Sequence, residues 1–247
     1  MQRHRYLTLR LHVDAPLTAG AVVVLPEAAA RHAVRVLRLQ VGEVVVLFNG
    51  RGGEYTAAIE SIGKAAVTVR IEAFSATERE SPLEVTLVQG LSSSDRMDLT
   101  VQKSVELGVR AIQPVAAEKS VVRLTGERAA ARCEHWQRVA IAACEQCGRN
   151  RIPEIRPLLP LARYAAPAGA QKLVLAPDAT RGLKQAVHGD AAAIVLAVGP
   201  EAGFSEAEER ALVAAGFEPV SLGPRILRTE TAAPAALAAL NALRGDF

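Results

Sequence analysis

Two short stretches near the C-terminal end of the chain hold residue types, at spacings, that can do chemistry. The first, Val198-Gly199-Pro200-Glu201-Ala202-Gly203-Phe204-Ser205, follows an apolar run over 191–197. That run is long enough for one buried strand and too short to span a membrane. Ser205 and Glu208 stand at the spacing of a capping box, in which a hydroxyl and a carboxylate satisfy the exposed N–H groups of a helix start, and Gly216 is placed to end that helix. The loop thus runs from a strand end to a helix start. Ligands of α/β folds collect there, because glycine lets them approach the backbone and the helix start offers free N–H groups. The second stretch, Leu222-Gly223-Pro224-Arg225-Ile226-Leu227-Arg228-Thr229-Glu230-Thr231-Ala232, repeats the plan. A strand over 217–222 meets a Gly-Pro turn, an irregular loop, and an Ala-rich helix with Thr231 as its expected cap and Pro234 in its first turn. Two such loops in succession point to one shared pocket, although a glycine-bearing loop taken singly is also an ordinary turn.

Other chemistries find less support. No G-x-G-x-x-G follows a strand and no G-x-x-x-x-G-K-[ST] occurs, which disfavours a nicotinamide or ATP enzyme. Cys144-x-x-Cys147 lacks a second Cys or His pair at ligand spacing, so zinc would be about two ligands short, and buried helix thiols are the simpler reading. His4, His12, His32, His135 and His188 are scattered, and no G-x-S-x-G elbow presents a serine, so a hydrolase triad is not indicated. Three cysteines, an odd number, argue against a disulfide framework. The N-terminus lacks the apolar core of a signal peptide, and no apolar run is long enough to cross a membrane. A cytoplasmic protein is the expectation.

The elements that must position the loops follow from the rest of the chain. Its 247 residues are 50% hydrophobic and 22% charged, enough for one large or two modest cores. Net charge is only +3, yet every cation other than Lys64, Lys103, Lys119, Lys172 and Lys184 is arginine. Arginine suits bidentate phosphate and base contacts, and equally follows from coding bias in an Ala-rich chain. Residues 1–73 read as short strands over 6–13, 21–25, 43–48, 54–61 and 65–73, with turns at Asn49-Gly50, Gly52-Gly53 and Ile62-Gly63-Lys64. Alternation puts Leu7, Leu9, Leu11 and Val13 on one face, and a small β-barrel follows from that pattern. Between these strands, 27–39 has helical spacing, with Val34, Leu37 and Val36 turned inward and Arg31, Arg35 and Arg38 projecting together. With Arg3, Arg5 and Arg10 they make the first forty residues strongly basic, the footprint of a nucleic-acid surface or of a merely solvated face. The polar, aperiodic 74–82 reads as a linker. Beyond it, a strand over 83–89, a helix over 96–107 capped by Ser94 or Asp95, a strand over 111–115, a long helix over 128–147 and a strand over 172–176 alternate, which implies a parallel sheet with covering helices.

The paired loops GPEAGFS and LGPRILRTETA resemble the two signature loops of the SPOUT class of RNA methyltransferases, and in particular those of the family that methylates N3 of a uridine in small-subunit ribosomal RNA. The segment RHAVRVLRL, with the V-G-E, F-N-G and G-E-Y that follow it, is similar to that family's PUA-like RNA-binding barrel. Lys103-Ser104-x-Glu106-Leu107-Gly108 resembles its K-x-x-E-L-G motif, and Glu145-Gln146-Cys147-Gly148-Arg149-Asn150-Arg151 its segment near the nucleotide and the dimer contact. The resemblance implies an α/β chain with a PUA-like β-barrel domain (1–73), a linker (74–82) and a SPOUT methyltransferase domain (83–247). In that domain a deep trefoil knot would hold S-adenosylmethionine, in a homodimer that binds ribosomal RNA and needs no metal. Retention of the whole R-I-L-R-T-E-T run argues for an enzyme over a non-enzymatic RNA-binding factor of the same fold.

The resemblance also implies a site. Gly199, Gly203 and Gly223 would let the cofactor approach the backbone, N–H and C=O groups around Leu222, Ile226 and Leu227 would bond the adenine edge, and Leu196, Leu222, Ile226 and Leu227 would sandwich the ring. Leu175, Val198, Pro200, Glu201 and Arg228 complete the expected cofactor set. The expected RNA contacts are Arg3, Arg5, Arg10, Arg31, His32, Arg35, Arg38, Lys103, Arg149 and Arg151. Uridine N3 carries a proton and is a poor nucleophile until that proton leaves. Arg228 is the expected stabiliser of the resulting anion, and Glu230 or Glu201 the expected acceptor of the proton; an arginine–carboxylate pair that merely fixes the loop is the alternative. Ala202 stands where the family commonly has G-P-E-G-G, so an ordinary backbone conformation is expected there.

Overall fold

The computed structural model describes residues 9–64, 66–187 and 193–247. Arg3, Arg5, Leu7, His188 and the first residues of the strands expected from 6, 65 and 191 lie outside the described residues. The chain divides into two compact units, one of residues 1–80 with 144–152, the other of 81–143 with 153–247.

In the first unit, β1 (Arg10–His12), β2 (Val22–Val24), β3 (Val44–Phe48), β4 (Glu54–Ile62) and β5 (Val67–Ser75) make a five-stranded sheet in the order β1-β3-β4-β5-β2. β1 runs parallel to β3 and the other pairs are antiparallel. Period-two alternation turns Leu11, Val45, Leu47, Ala57, Ile59, Val69 and Ile71 into one buried core. The helix between β2 and β3 departs from expectation. α1 (Glu27–Arg31) passes into a π turn over His32–Val36, where the Leu37 amide donates to the His32 carbonyl five residues back. The extra residue in the turn shifts the phase of the face. Val36 and Leu37, expected inward, are therefore 62% and 46% exposed, while Ala29 and Ala33 are buried. Arg38 closes the turn at φ 55.

The stretch expected as a linker is tied down within this unit. β5 continues to Ser75. The Glu78 carboxylate accepts from the Gly53 amide at 2.8 Å, Arg79 donates to Glu54 at 3.0 Å, and Asn150 donates to the Thr77 carbonyl at 2.6 Å.

The second unit holds β6 (Glu84–Gly90), α2 (Ser94–Glu106), β7 (Ala111–Ala116), most of α3 (Gly126–Cys147), β8 (Glu154–Ile155), β9 (Leu159–Pro160), β10 (Gln171–Leu175), α4 (Leu183–Ala186), β11 (Ala193–Val198), α5 (Glu206–Ala214), β12 (Glu218–Val220) and α6 (Thr229–Arg244). Its sheet is parallel, in the order β12-β10-β11-β6-β7-β8 with β9 also on β7. The strands are continuous apolar runs, as a sheet covered on both faces requires: Leu87, Val88, Leu173, Leu196 and Ala197 are fully buried. Register pairs Val174 with Ala197, Val198 with Gln89, and Leu175 with Val220, so the C-terminal ends of β10, β11 and β12 reach one edge together. Two helix starts differ from expectation. Ser93, rather than Ser94 or Asp95, occupies the capping position of α2. α6 begins at Thr229, with Arg228 in the capping position and Pro234 consequently in the second turn. No helix among the described residues is long and apolar enough to cross a membrane.

Candidate functional site

The site is assembled from the three neighbouring strand ends. β11 delivers Val198 and the first signature loop, β12 delivers the second, and β10 ends in Leu175, with Pro177 just beyond it. Together these residues line a cavity of about 350 Å³, inside the range of small-molecule sites. The first loop folds as its residues dictate. The Gly203 amide donates to the Pro200 carbonyl at 2.9 Å, and Gly203 takes φ 71. Ser205 and Glu208 form the expected capping box, the Glu208 amide donating to Ser205 Oγ and the Ser205 amide to Glu208 Oε2. Gly216 ends the helix region at φ 87. Ala202 is not among the positive-φ residues; the turn puts its left-handed position on Gly203, so alanine is unstrained.

The loop is anchored from beneath. Thr229 Oγ1 donates to the Gly199 carbonyl at 2.8 Å, and Gln89 Nε2 donates to Thr229 Oγ1 at 3.0 Å. Gly90, one residue beyond the pairing of Gln89 with Val198, is packed so closely that a Cβ there would meet Pro200 N and Cδ at 2.6 Å each. Gly203 and Gly223 face the opposite situation, since a Cβ on either meets nothing within 4 Å. Both glycines line the cavity, as does Ile226, whose apolar side chain is 83% exposed. Open backbone beside uncovered apolar surface, in a cavity of this size, fits an adenosyl ligand that stacks on one and hydrogen-bonds the other.

Of the cofactor residues expected from sequence, Leu175, Val198, Gly199, Pro200, Glu201, Gly203, Leu222, Gly223, Ile226 and Leu227 line the cavity, whereas Leu196 and Arg228 are not among its lining residues. Leu196 is fully buried inside β11, two residues before the strand end. Arg228 is exposed at the start of α6, and its guanidinium has no hydrogen-bond or ion-pair partner among the described residues. Sequence reading missed Lys119, whose Nζ donates to the Phe204 carbonyl at 3.0 Å, and Glu209 and Arg225, which also line the cavity; no periodicity or motif marks them. It also missed Arg96. From α2 this arginine donates to Glu201 Oε1 at 3.0 Å and lies 3.5 Å from Glu230 Oε1. Burial alone pushes the Glu201 carboxyl up, but the Ser93 amide, its own amide and the Arg96 guanidinium outweigh that and hold it below the ordinary carboxylate range.

The expected RNA contacts separate by environment. Arg31, His32, Arg35 and Arg38 are exposed on α1 and the π turn, Arg31 also pairing with Glu27. Lys103 forms the plain helical pair with Glu106, at 2.8 and 3.0 Å, and Arg151 lies 3.5 Å from Glu78; both keep partly exposed side chains. Arg10 and Arg149 have internal partners instead. Arg10 donates to Glu54 and Asn150 at 2.5 Å each, and Arg149 donates through Nε and Nη2 to Glu80 with its side chain only 4% exposed. These two guanidiniums hold the unit together and are turned away from solvent. The Cys144 thiol is pushed up to about 12 by burial, an inert core thiol, and among the described residues no group of His, Cys, Asp or Glu is arranged to hold a metal.

The model of the RNA methyltransferase domain matches residues 79–241, and that of the RNA methyltransferase PUA domain matches 25–72. The chain is 30% identical over 240 residues to ribosomal RNA small subunit methyltransferase E of Buchnera aphidicola, covering 96% of this chain and 94% of the relative. It is 33% identical to the protein of that name from Mycobacterium bovis, covering 96% and 92%. Among solved structures it is similar to ribosomal RNA small subunit methyltransferase E from Neisseria gonorrhoeae bound to S-adenosyl methionine, at a TM-score of 0.92 and 45% identity, covering 97% of this chain and 99% of that one.

Proposed function

This chain belongs to the RNA methyltransferase family that carries a PUA domain, and from that premise we propose that it transfers the methyl group of S-adenosylmethionine to N3 of a uridine in small-subunit ribosomal RNA. The observation that carries the proposal is the cavity at the joined ends of β10, β11 and β12, where both signature loops present open backbone beside apolar surface. Leu175, Val198, Gly199, Pro200, Gly203, Leu222, Gly223, Ile226 and Leu227 would hold the cofactor there. When bound, the cofactor supplies a methyl group on a sulfonium, so that the N3 electron pair forms the new N–C bond as the C–S bond breaks and its pair stays on sulfur. The protein's part is alignment, exclusion of water and removal of the N3 proton. Glu201 or Glu230 takes that proton, and Arg228, whose guanidinium has no partner among the described residues, stabilises the charge that develops on the uracil oxygens.

The small β unit, proposed as 1–73, holds RNA through Arg31, His32, Arg35 and Arg38, with Lys103 and Arg151 as further contacts and Arg3 and Arg5 assigned on the resemblance alone. The methyltransferase part is proposed as 83–247, in a cytoplasmic homodimer. The test is transfer of labelled methyl from S-adenosylmethionine to purified small-subunit ribosomal RNA and to assembled small subunits. The proposal expects protein-dependent, ribonuclease-sensitive label on at least one of them. Cofactor binding without label on either would favour the non-enzymatic RNA-binding factor.

A further inference from the structure

The proton acceptors proposed above are not independent side chains. Glu201 comes from the loop after β11 and Glu230 from the first turn of α6, and their carboxylates converge on one cation, Arg96, in the first turn of α2. Arg96 Nη1 donates to Glu201 Oε1 at 3.0 Å, its Nε lies 3.5 Å from Glu230 Oε1, and the Ser93 amide adds a donor to Glu201 Oε1 at 2.9 Å. One oxygen of each carboxylate is thereby fixed. The other oxygen of each, Glu201 Oε2 and Glu230 Oε2, is buried and has no hydrogen-bond partner among the described residues. Glu201 lines the cavity and Glu230 follows the lining residue Thr229; two buried, unpartnered carboxylate oxygens are costly unless a donor arrives, and the donor this reaction brings is an imide N–H.

We infer that Arg96 is a positioning residue for methyl transfer: it clamps the carboxylates of Glu201 and Glu230 by one oxygen each and leaves the second oxygens free to receive the N3 proton of the target uracil. The inference rests on the methyltransferase reading. In the step it serves, the N3–H bond breaks and an O–H bond forms on Glu201 or Glu230, the electron pair staying on N3. Arg96 itself neither gains nor loses a proton. Its Nη2 has no partner among the described residues, so the guanidinium keeps one face for a carbonyl oxygen of the same base. A guanidinium fork holds two carboxylates at fixed separation in a way that a single ammonium does not. Glu201 is faced by Arg96 from α2 and Glu230 from α6, with Lys119, Glu209 and Arg225 on the walls of the same cavity.

The experiment compares wild type, Arg96→Gln and Arg96→Lys in kcat, in KM for the cofactor, in the pH dependence of kcat, and in a ¹³C NMR titration of the Glu201 carboxyl in cofactor-free protein. Arg96→Gln is expected to lower kcat a hundredfold or more while the cofactor KM stays within threefold, and to move both the acidic limb and the Glu201 titration to higher pH, because the carboxylate has lost a cation that favoured its charged form. Arg96→Lys is expected to restore the titration most of the way and kcat only in part. A kcat within threefold of wild type in Arg96→Gln, or a lowered kcat with the acidic limb and the Glu201 titration unmoved, overturns the inference. Wild-type protein that binds the cofactor and transfers no methyl to RNA overturns the methyltransferase reading instead, and the NMR titration still reports whether Arg96 holds Glu201.

Discussion

Single residues divide the site into parts that bind and parts that react. Arg228 lies outside the cavity lining, exposed and without a partner among the described residues, so its removal should leave the cofactor pocket intact. Arg228→Ala is expected to lower kcat/KM for RNA about a hundredfold with the cofactor Kd unchanged within threefold. Equal activity would remove Arg228 from the mechanism. Gly90 sits at the other extreme. An alanine Cβ there meets Pro200 backbone and ring atoms at 2.6 Å, contacts that only movement of the loop can relieve. Gly90→Ala should therefore weaken cofactor binding at least tenfold, read by calorimetry, in a protein whose circular dichroism is unchanged. The sequence made Gly199, Gly203 and Gly223 legible, because they stand in a motif beside strand ends. Gly90 was not legible: its constraint comes from Pro200 in the loop after β11, more than a hundred residues away in the chain.

At the scale of elements, the two loops work as one because β11 and α6 are tied through Thr229 and Gln89 beneath Gly199. Thr229→Val removes the hydroxyl and leaves the Gly199 carbonyl and Gln89 amide short of a partner. A loss of about 1–3 kcal/mol in unfolding free energy is expected, together with weaker cofactor binding. Urea denaturation in the presence and absence of cofactor measures both, and an unchanged midpoint would contradict the tie. Strand identities were legible because apolar runs and alternation are local signals, and the Ser205–Glu208 box fixed the start of α5. The start of α6 was not legible: Thr231 was the expected cap, but the helix begins two residues earlier, where the Thr229 hydroxyl donates to the Gly199 carbonyl of the neighbouring loop. The π turn over His32–Val36 was equally hidden. Its residues have helical spacing, and only the packing of Ala33 into the core reveals the extra residue in the turn. A chain crossing such as the trefoil knot leaves no trace in periodicity and entered only through resemblance.

For the molecule as a whole, the first unit depends on a segment far away in sequence. Glu54 receives donors from Arg10 at 2.5 Å, Arg79 at 3.0 Å and Asn150 at 3.3 Å. Burial pushes the Glu54 carboxyl up, but Arg79 and Arg10 more than offset this and hold it below its ordinary value of 4.5. A carboxylate whose folded value is depressed contributes stability above its unfolded value, and that contribution disappears as pH falls through the folded one. Glu54→Ala should therefore cost about 3 kcal/mol at pH 7, and the gap to wild type should shrink steadily below pH 4.5. A gap that is constant from pH 7 to pH 3 would contradict this account. Arg10 was expected at RNA from the basic N-terminal stretch, and Arg149 from the resemblance of the segment around it. Their partners Glu54, Asn150 and Glu80 come together only in the fold.

The measurement that tests the central claim most directly is mass spectrometry of nucleosides from small-subunit ribosomal RNA incubated with the purified protein and methyl-labelled S-adenosylmethionine. The account predicts label in 3-methyluridine at one position, absent when the protein is omitted. Label on any other base or on a ribose would contradict it.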